Sequence, residues 1–283
     1  MSKMTRSAVS IQSLIIVSLL TMVTVSLAVA EDYYRGDGTP DGKRSIGGGG
    51  HAIFFDVGQD GCWLNRVGLF GARYGHAKPP DEDFHLYVLD IDGSVLADVS
   101  LPYSLWERGP EYWRDLPIPP MQVPRHFGIG LTFNAEQTKG VYVGIDSGES
   151  YSYSWVPGTE GQATEGFNWM VRATVDNEPA GDPAARDLLL LANGDAFFDT
   201  IERLSDDGAI IATAGRGAIP VESLTAVRFG AVSIPAPGAA TIYTVSGRKL
   251  QGTLLAISDE RVRIMVAGKE IDIPRSDLAR IEF

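Results

Sequence analysis

Cysteine is almost absent from this chain of 283 residues, in which Cys62 is the only one. A single thiol cannot form an intramolecular disulfide, so the fold must be held together by its hydrophobic core. Cys62 also lies far from the N-terminal segment, which argues against lipid attachment near residue 30.

Basic residues are scarce as well. The chain has 24 Lys and Arg against 36 Asp and Glu, for a net charge of −12, and no stretch of it is a basic run. Phosphate affinity rests largely on clustered basic side chains. We therefore expect no nucleic-acid partner and little attraction to anionic lipid headgroups.

Motifs for metal binding and catalysis are also missing. There is no G-x-S-x-G elbow, and the run Gly47–Gly50 precedes a predicted strand rather than opening a helix, so it does not form a phosphate loop. The four histidines lack the close spacing of a ligand pair; they are His51, His76, His85 and His126. We expect no metal and no cofactor.

Charge is absent from Ser7 to Ala30, a stretch that follows Lys3 and Arg6 and ends in Ala28-Val29-Ala30. A basic start, an apolar run and small residues at the end are typical of a secretory signal. The sequence predicts a signal peptide at 1–30 and a periplasmic or secreted protein without stable membrane insertion after cleavage. The alternative is an uncleaved anchor, because 24 uncharged residues are enough to cross a bilayer.

Helical periodicity is almost absent from the first half of the mature chain. Short apolar or alternating runs bounded by turn residues predict an all-β fold, a jelly-roll-like β-sandwich over 51–176. The pair Asp92-Gly93 predicts a tight hairpin. Phe84–Leu89 is apolar on both faces, which indicates a central strand. The preceding segment, 31–50, is polar and rich in Gly, and we expect it to be a flexible leader.

The rest of the chain contains a repeat. Gly194 matches Gly247 at an offset of 53 residues, and Ile219-Pro220 matches Ile273-Pro274 at an offset of 54. Both copies predict a strand, a Gly turn, a long strand, an acidic turn, a hairpin, a one-turn helix after Ile-Pro, and a last strand. The predicted units are a linker at 177–187, a small β-barrel at 188–229, a linker at 230–240 and a second small β-barrel at 241–283.

This order of elements resembles the Sm-like small β-barrel, seen twice. The resemblance implies the fold but not RNA recognition, because the turns SDDGAI and SDERVRI lack the Asn of the Sm pattern. In addition, Arg216-Gly217 precedes the Ile-Pro instead of opening the last strand. Residues 51–175 resemble an uncharacterised bacterial β-sandwich module through GARYG, EDFHLYVLD, PYSLWERG and TKGVYVG; this resemblance favours binding or assembly.

The densest aromatic and charged segment reads PYSLWERGPEYWRDLPIPP. Aromatic faces stack on sugar rings, and neighbouring charged groups bond to hydroxyls. The predicted ligand-binding residues are Tyr103, Trp106, Glu107, Arg108 and Tyr112. We expect Trp106 to be exposed and Trp113 to plug the end of the sandwich. The alternative is that the loop belongs to the core.

A second aromatic group recurs at a spacing of two residues: Tyr151, Tyr153 and Trp155. These side chains share one face of a strand. They form either a second binding platform or the inner layer of the core.

Together these observations predict an exported, non-catalytic binding or scaffold protein of the cell envelope. Its partner would be an envelope polysaccharide or another exported protein. The alternative is a glycan-active hydrolase, since glycoside hydrolysis needs only two facing carboxylates. Glu107 and Asp115 are the candidates for that pair.

Overall fold

The computed structural model describes residues 30–46, 49–133, 139–159, 161–206, 208–234, 239–246, 249–257, 261–266 and 269–282. In these residues the regular structure is β-strand apart from three single turns of 3-10 helix, so the predicted all-β fold class is confirmed. Of the predicted signal peptide only Ala30 is among them. No helix in the described ranges is both long and apolar enough to cross a membrane.

The first fourteen strands belong to two packed antiparallel sheets. The strands are β1 Glu31–Tyr33, β2 Gly42–Arg44, β3 Gly50–Asp56, β4 Cys62–Gly75, β5 Asp83–Asp90, β6 Val95–Pro102, β7 Tyr112–Leu116, β8 Met121–Val123, β9 His126–Thr132, β10 Lys139–Ser147, β11 Ser152–Ser154, β12 Gln162–Ala163, β13 Phe167–Trp169 and β14 Val171–Asp176. An eight-stranded sheet has the order β1-β14-β4-β10-β13, with β2 on β10 and with β7 and β8 on β4. The seven-stranded sheet has the order β12-β11-β3-β9-β5-β6, followed by a short strand from later in the chain.

The inner faces of the two sheets bury one large hydrophobic core. Strand β5 pairs with both β6 and β9, as predicted for a central strand. Phe84 is buried in the core between the sheets, and Leu89 is buried in a smaller cluster on the outer face. The predicted hairpin is also confirmed: Gly93 has φ +84°, and its N–H donates to the Asp90 carbonyl.

Residues 31–46 contain paired strands and are not a flexible leader, contrary to our expectation. Strand β1 pairs with β14 at the edge of the eight-stranded sheet, and β2 pairs with β10. Between them, Tyr34 Oη and the Gly38 N–H both donate to the buried carboxylate of Asp146, at 2.6 and 2.9 Å. Backbone pairing and a buried carboxylate that needs donors fix this polar segment, although it supplies little apolar surface.

The remaining strands form two small units with the same strand order. The first small unit contains β15 Asp187–Leu191, β16 Ala196–Asp199, β17 Ile201–Leu204, β18 Ile210–Thr213, β19 Gly217–Pro220 and β20 Leu224–Arg228. The second contains β22 Ala239–Thr244, β23 Lys249–Ile257, β24 Arg261–Val266, β25 Lys269–Pro274 and β26 Leu278–Glu282. Their orders are β20-β15-β16/β17-β18-β19 and β26-β22-β23-β24-β25, because Thr200 splits one long strand into β16 and β17.

The repeat therefore extends from sequence to topology. A 3-10 turn follows the Ile-Pro pair in each unit, at Val221–Ser223 and at Arg275–Asp277. Gly194 has φ +89° in the turn after β15, whereas its predicted counterpart Gly247 lies outside the described residues.

The first small unit packs against the sandwich. Leu188 and Leu190 of β15 belong to the sandwich core. Strand β21, Val232–Ser233, lies within the predicted linker 230–240 and pairs with β6 at the edge of the seven-stranded sheet. Strand β21 is thus part of the sandwich, because its backbone hydrogen bonds extend the sheet beyond β6.

The second small unit has its own core. Ile242, Val262, Ile264 and Ile273 are buried together, and Ile271 packs against them. Ile271 and Ile273 therefore lie on the inward face of β25.

Candidate functional site

The first two of the predicted ligand-binding residues are core residues. Tyr103 is 0% exposed and Trp106 is 2% exposed. The 3-10 turn Tyr103–Leu105 directs both rings into the sandwich, where Tyr103 packs edge-on against Phe84 with ring centroids 5.5 Å apart. The expectation that Trp106 is exposed is wrong, because the chain turns inward directly after the buried Pro102.

The other three predicted residues are at least partly exposed. Glu107 and Arg108 are exposed, and Tyr112 is half-buried at the start of β7. The Tyr112 ring lies 6.2 Å from the Trp106 ring, and its hydroxyl accepts a hydrogen bond from the Glu107 N–H at 3.4 Å. Tyr112 therefore connects the core turn to the strand that follows it.

Trp113 is not a plug of the sandwich end, which corrects the second expectation about this loop. It pairs in register with Phe70 on the outer face of the eight-stranded sheet. Its ring centroid lies 5.7 Å from that of Phe70 and 5.8 Å from that of Tyr34, and the Arg172 guanidinium lies 4.9 Å above the ring. Because side chains alternate along a strand, Trp113 faces outward while its neighbours Tyr112 and Arg114 face the other way.

The second aromatic group matches neither of the two expectations, a binding platform or the inner layer of the core. Trp155 is 4% exposed and packs with Tyr87, Leu89 and Tyr153 on the outer face of the seven-stranded sheet. A Cβ on Gly130 would lie 2.7 Å from the Trp155 ring, so the glycine makes room for it. This cluster is a satellite core rather than a platform or an inner layer.

Strand β7 borders a groove between the sandwich and the first small unit. The groove encloses about 490 Å³, within the size range of small-molecule sites. The sandwich contributes Tyr112, Trp113, Arg114, Asp115 and Pro117, and the first small unit contributes Leu191, Asp195, Ala196, Phe197 and Arg216. Of the five predicted residues, only Tyr112 lines it.

Arg114 spans the near wall of the groove. Its Nη2 donates to the Gly194 carbonyl at 3.0 Å, which ties β7 to the first hairpin of the small unit. Its Nε is buried and has no hydrogen-bond partner among the described residues.

The Asp115 carboxylate forms ion pairs with two arginines. One carboxylate oxygen accepts from Arg66 at 3.2 Å, and the other accepts from Arg172 at 3.3 Å. Both oxygens are therefore engaged on the outer face of the sheet.

Arg216 forms the far wall. Its guanidinium lies 3.9 Å from the centroid of the Phe197 ring, a cation–π contact. The turn that carries it is held by the buried Asp199 carboxylate, which accepts from the Gly215 N–H at 2.9 Å and the Arg216 N–H at 3.0 Å. Burial acts to raise the pKa of Asp199, but these bonds, with those from Thr213 and Thr200, outweigh burial and lower it.

The groove thus places guanidinium groups beside aromatic side chains, of which Phe197 is 9% exposed and lies beneath Arg216. Among the described residues, no three His, Cys, Asp or Glu side chains lie close enough together to bind a metal ion. Comparison of the sequence with known protein families finds no match, and comparison with curated proteins finds no relative.

From the sequence we identified part of the groove wall that β7 forms. We did not identify the opposite wall, which contains Phe197 and Arg216. The segment that the sequence indicated contains Tyr112, Trp113 and Arg114, but of these three only Tyr112 was predicted to bind the ligand. Phe197 and Arg216 lie on an element about 100 residues away, and no local pattern connects them to β7. The only available signal was Arg216 between two glycines in the hairpin TAGRG.

Proposed function

We propose that this protein is a non-catalytic binding protein whose ligand is a glycan held in the groove between β7 and the first small unit. The observation that carries the proposal is that aromatic side chains and two arginines line the same groove. Tyr112 and Arg114 border it from one side of β7 and Trp113 from the other, and Arg216 covers the buried Phe197 ring on the opposite wall. Aromatic surface combined with a few polar groups is the arrangement that binds sugars by stacking and by hydrogen bonds to hydroxyls.

A groove of this size suits a short saccharide better than a folded partner. A specific protein interface buries about 800 Å² per partner, whereas this site is a recess with ten lining residues. Another exported protein remains the alternative ligand, and the experiment below includes it.

The hydrolase alternative gains no support from the geometry. Glu107 does not line the groove, and both oxygens of Asp115 are held by Arg66 and Arg172. Glycoside hydrolysis requires one carboxyl group to give a proton to the leaving oxygen. A carboxylate between two guanidinium groups is poorly suited to that step.

We also propose that the two small units are Sm-like barrels used as structural parts. Their shared strand order and the 3-10 turn before the last strand support this assignment. The first unit supplies one wall of the groove and residues of the sandwich core, which is a scaffold role.

Export is part of the proposal and rests on the sequence of residues 1–30. Strand β1 begins at Glu31, directly after the predicted cleavage site. Cleavage there leaves the whole of β1 available to pair with β14, which is consistent with a mature N-terminus at Glu31.

The test is a glycan array probed with the purified chain 31–283, alongside a pull-down from an envelope fraction. Trp113→Ala should abolish or strongly weaken glycan retention. Tyr142→Ala is the matched control, because Tyr142 lies on the outer face of the same sheet, 4.4 Å from the Tyr74 ring, and does not line the groove. Retention of a protein but of no glycan, or equal losses in both variants, would overturn the proposal.

A further inference from the structure

We propose that the sugar bound in this groove is anionic and that Arg114 and Arg216 hold its charged group. This inference rests on the proposed function and narrows it from glycans in general to glycans that carry carboxylate or sulfate. A guanidinium fork can donate two parallel hydrogen bonds to two oxygens of a planar carboxylate or of a tetrahedral sulfate, so both groups share one chemistry of recognition.

The first support is that neither arginine has an acidic partner. Within the described ranges, no carboxylate lies within ion-pair distance of Arg114 or Arg216, although Arg66, Arg125 and Arg172 are all paired.

The second support is that both guanidinium groups are positioned in advance. Arg114 is anchored through Nη2 to the Gly194 carbonyl, which leaves Nε buried and unsatisfied. Arg216 rests on the Phe197 ring, and its backbone is clamped by Asp199. Pre-positioned donors lose little conformational entropy when a ligand binds, which increases affinity.

The third support is that the carboxylates of the groove do not compete for these donors. Asp115 is bound by Arg66 and Arg172 on the outer face of the sheet. Asp195 accepts from the Asn193 side chain at 2.8 Å and sits in an exposed hairpin. The guanidinium donors of the two groove arginines are therefore not taken up by these carboxylates, and the formal charges of the two Arg and two Asp that line the groove balance.

The experiment measures the affinity of the full mature chain for two matched pairs of saccharides by titration calorimetry. One pair is tetragalacturonate and its methyl ester, in which a methyl group on each carboxyl removes the charge. The other pair is sulfated and unsulfated dextran oligomers. We expect the anionic member of at least one pair to bind at least tenfold more tightly than its neutral counterpart, and the two pairs separate carboxylate from sulfate recognition.

Three variants test which residues produce the preference for the anionic sugar. Arg216→Gln and Arg114→Gln should each weaken binding of the anionic sugar about tenfold, the size of a lost charge-assisted hydrogen bond. Arg108→Gln is the control, because Arg108 is an exposed arginine outside the groove. Arg216 is itself exposed, so its variant keeps the test valid if Arg114→Gln fails to fold.

The outcomes separate this inference from the proposed function. Equal binding of charged and neutral sugars, abolished by Trp113→Ala, would overturn the charge assignment and leave glycan binding intact. A loss of affinity in Arg108→Gln as large as that in Arg216→Gln would also overturn the charge assignment. Failure of every glycan on the array, charged and neutral, would overturn both proposals.

Discussion

The Arg216 guanidinium stacks on the Phe197 ring, with 3.9 Å between the guanidinium carbon and the ring centroid. The two residues belong to different hairpins of the first small unit. Asp199 links them: it closes the strand that carries Phe197 and accepts hydrogen bonds from the turn that carries Arg216. One buried carboxylate thus fixes a residue of the groove wall.

Asp199→Asn should therefore loosen that wall. An amide can accept fewer of these bonds and brings two donors that have no partner in the turn. We expect a loss of about 1.5–3 kcal/mol in the free energy of unfolding, the range for hydrogen bonds to a charged group. Urea unfolding checks this, with Asp195→Asn, in an exposed turn of the same unit, as the control. Equal stability of the two variants would contradict the clamp.

The two tryptophans of the aromatic segment should differ in their effect on stability. Trp106→Ala should destabilise the protein by about 3–5 kcal/mol, as a large truncation in a packed core. Trp113→Ala should cost clearly less, because its ring lies on the outer face of a sheet and is only half-buried. Thermal melts of both variants measure the difference. If Trp106→Ala melts like the wild type, the assignment of Trp106 to the core is wrong.

His51 should make the sandwich sensitive to acid. It is buried against Phe133 and Trp169, and burial lowers its pKa from 6.5 to about 3. The folded protein therefore keeps His51 neutral, whereas the unfolded chain binds a proton below pH 6.5. Stability from this residue is complete above pH 6.5 and declines as the pH falls towards 3, by up to about 1.4 kcal/mol per pH unit.

The check is urea unfolding at pH 7, 6 and 5 for the wild type and for His51→Leu. The wild type should lose more stability than the variant over this interval, because the variant lacks the titrating group. Parallel curves for the two proteins would contradict the assignment. Other titrating groups are common to both proteins and cancel in the comparison.

Ile273→Asp should unfold the second small unit and spare the sandwich. Ile273 belongs to a core that is separate from the sandwich core. A buried, unpaired carboxylate costs several kcal/mol. Limited proteolysis should release this unit from the variant, while Ser276→Asp, at an exposed position in the following turn, should resist cleavage. A resistant Ile273→Asp would show that β25 faces the other way.

The features that could be predicted from the sequence are those that depend on interactions between residues close together in the chain. The central strand Phe84–Leu89 and the Asp92-Gly93 hairpin were predictable because alternation and turn chemistry are local. Trp106 was misjudged because its burial depends on a turn that inserts into a distant core. The 31–50 segment was misjudged because its strands are fixed by β10 and β14 rather than by its own apolar surface. The groove required the packing of two domains, which no local pattern encodes.

Hydrogen–deuterium exchange of the mature chain, with and without a saturating concentration of whichever anionic saccharide binds more tightly by calorimetry, tests the central claim most directly. We expect slower exchange confined to the two walls of the groove, in peptides that cover β7 and the segments around Phe197 and Arg216. Slower exchange only elsewhere, such as around Trp155 or in the second small unit, would contradict the claim that this groove is the glycan site, as would no change anywhere.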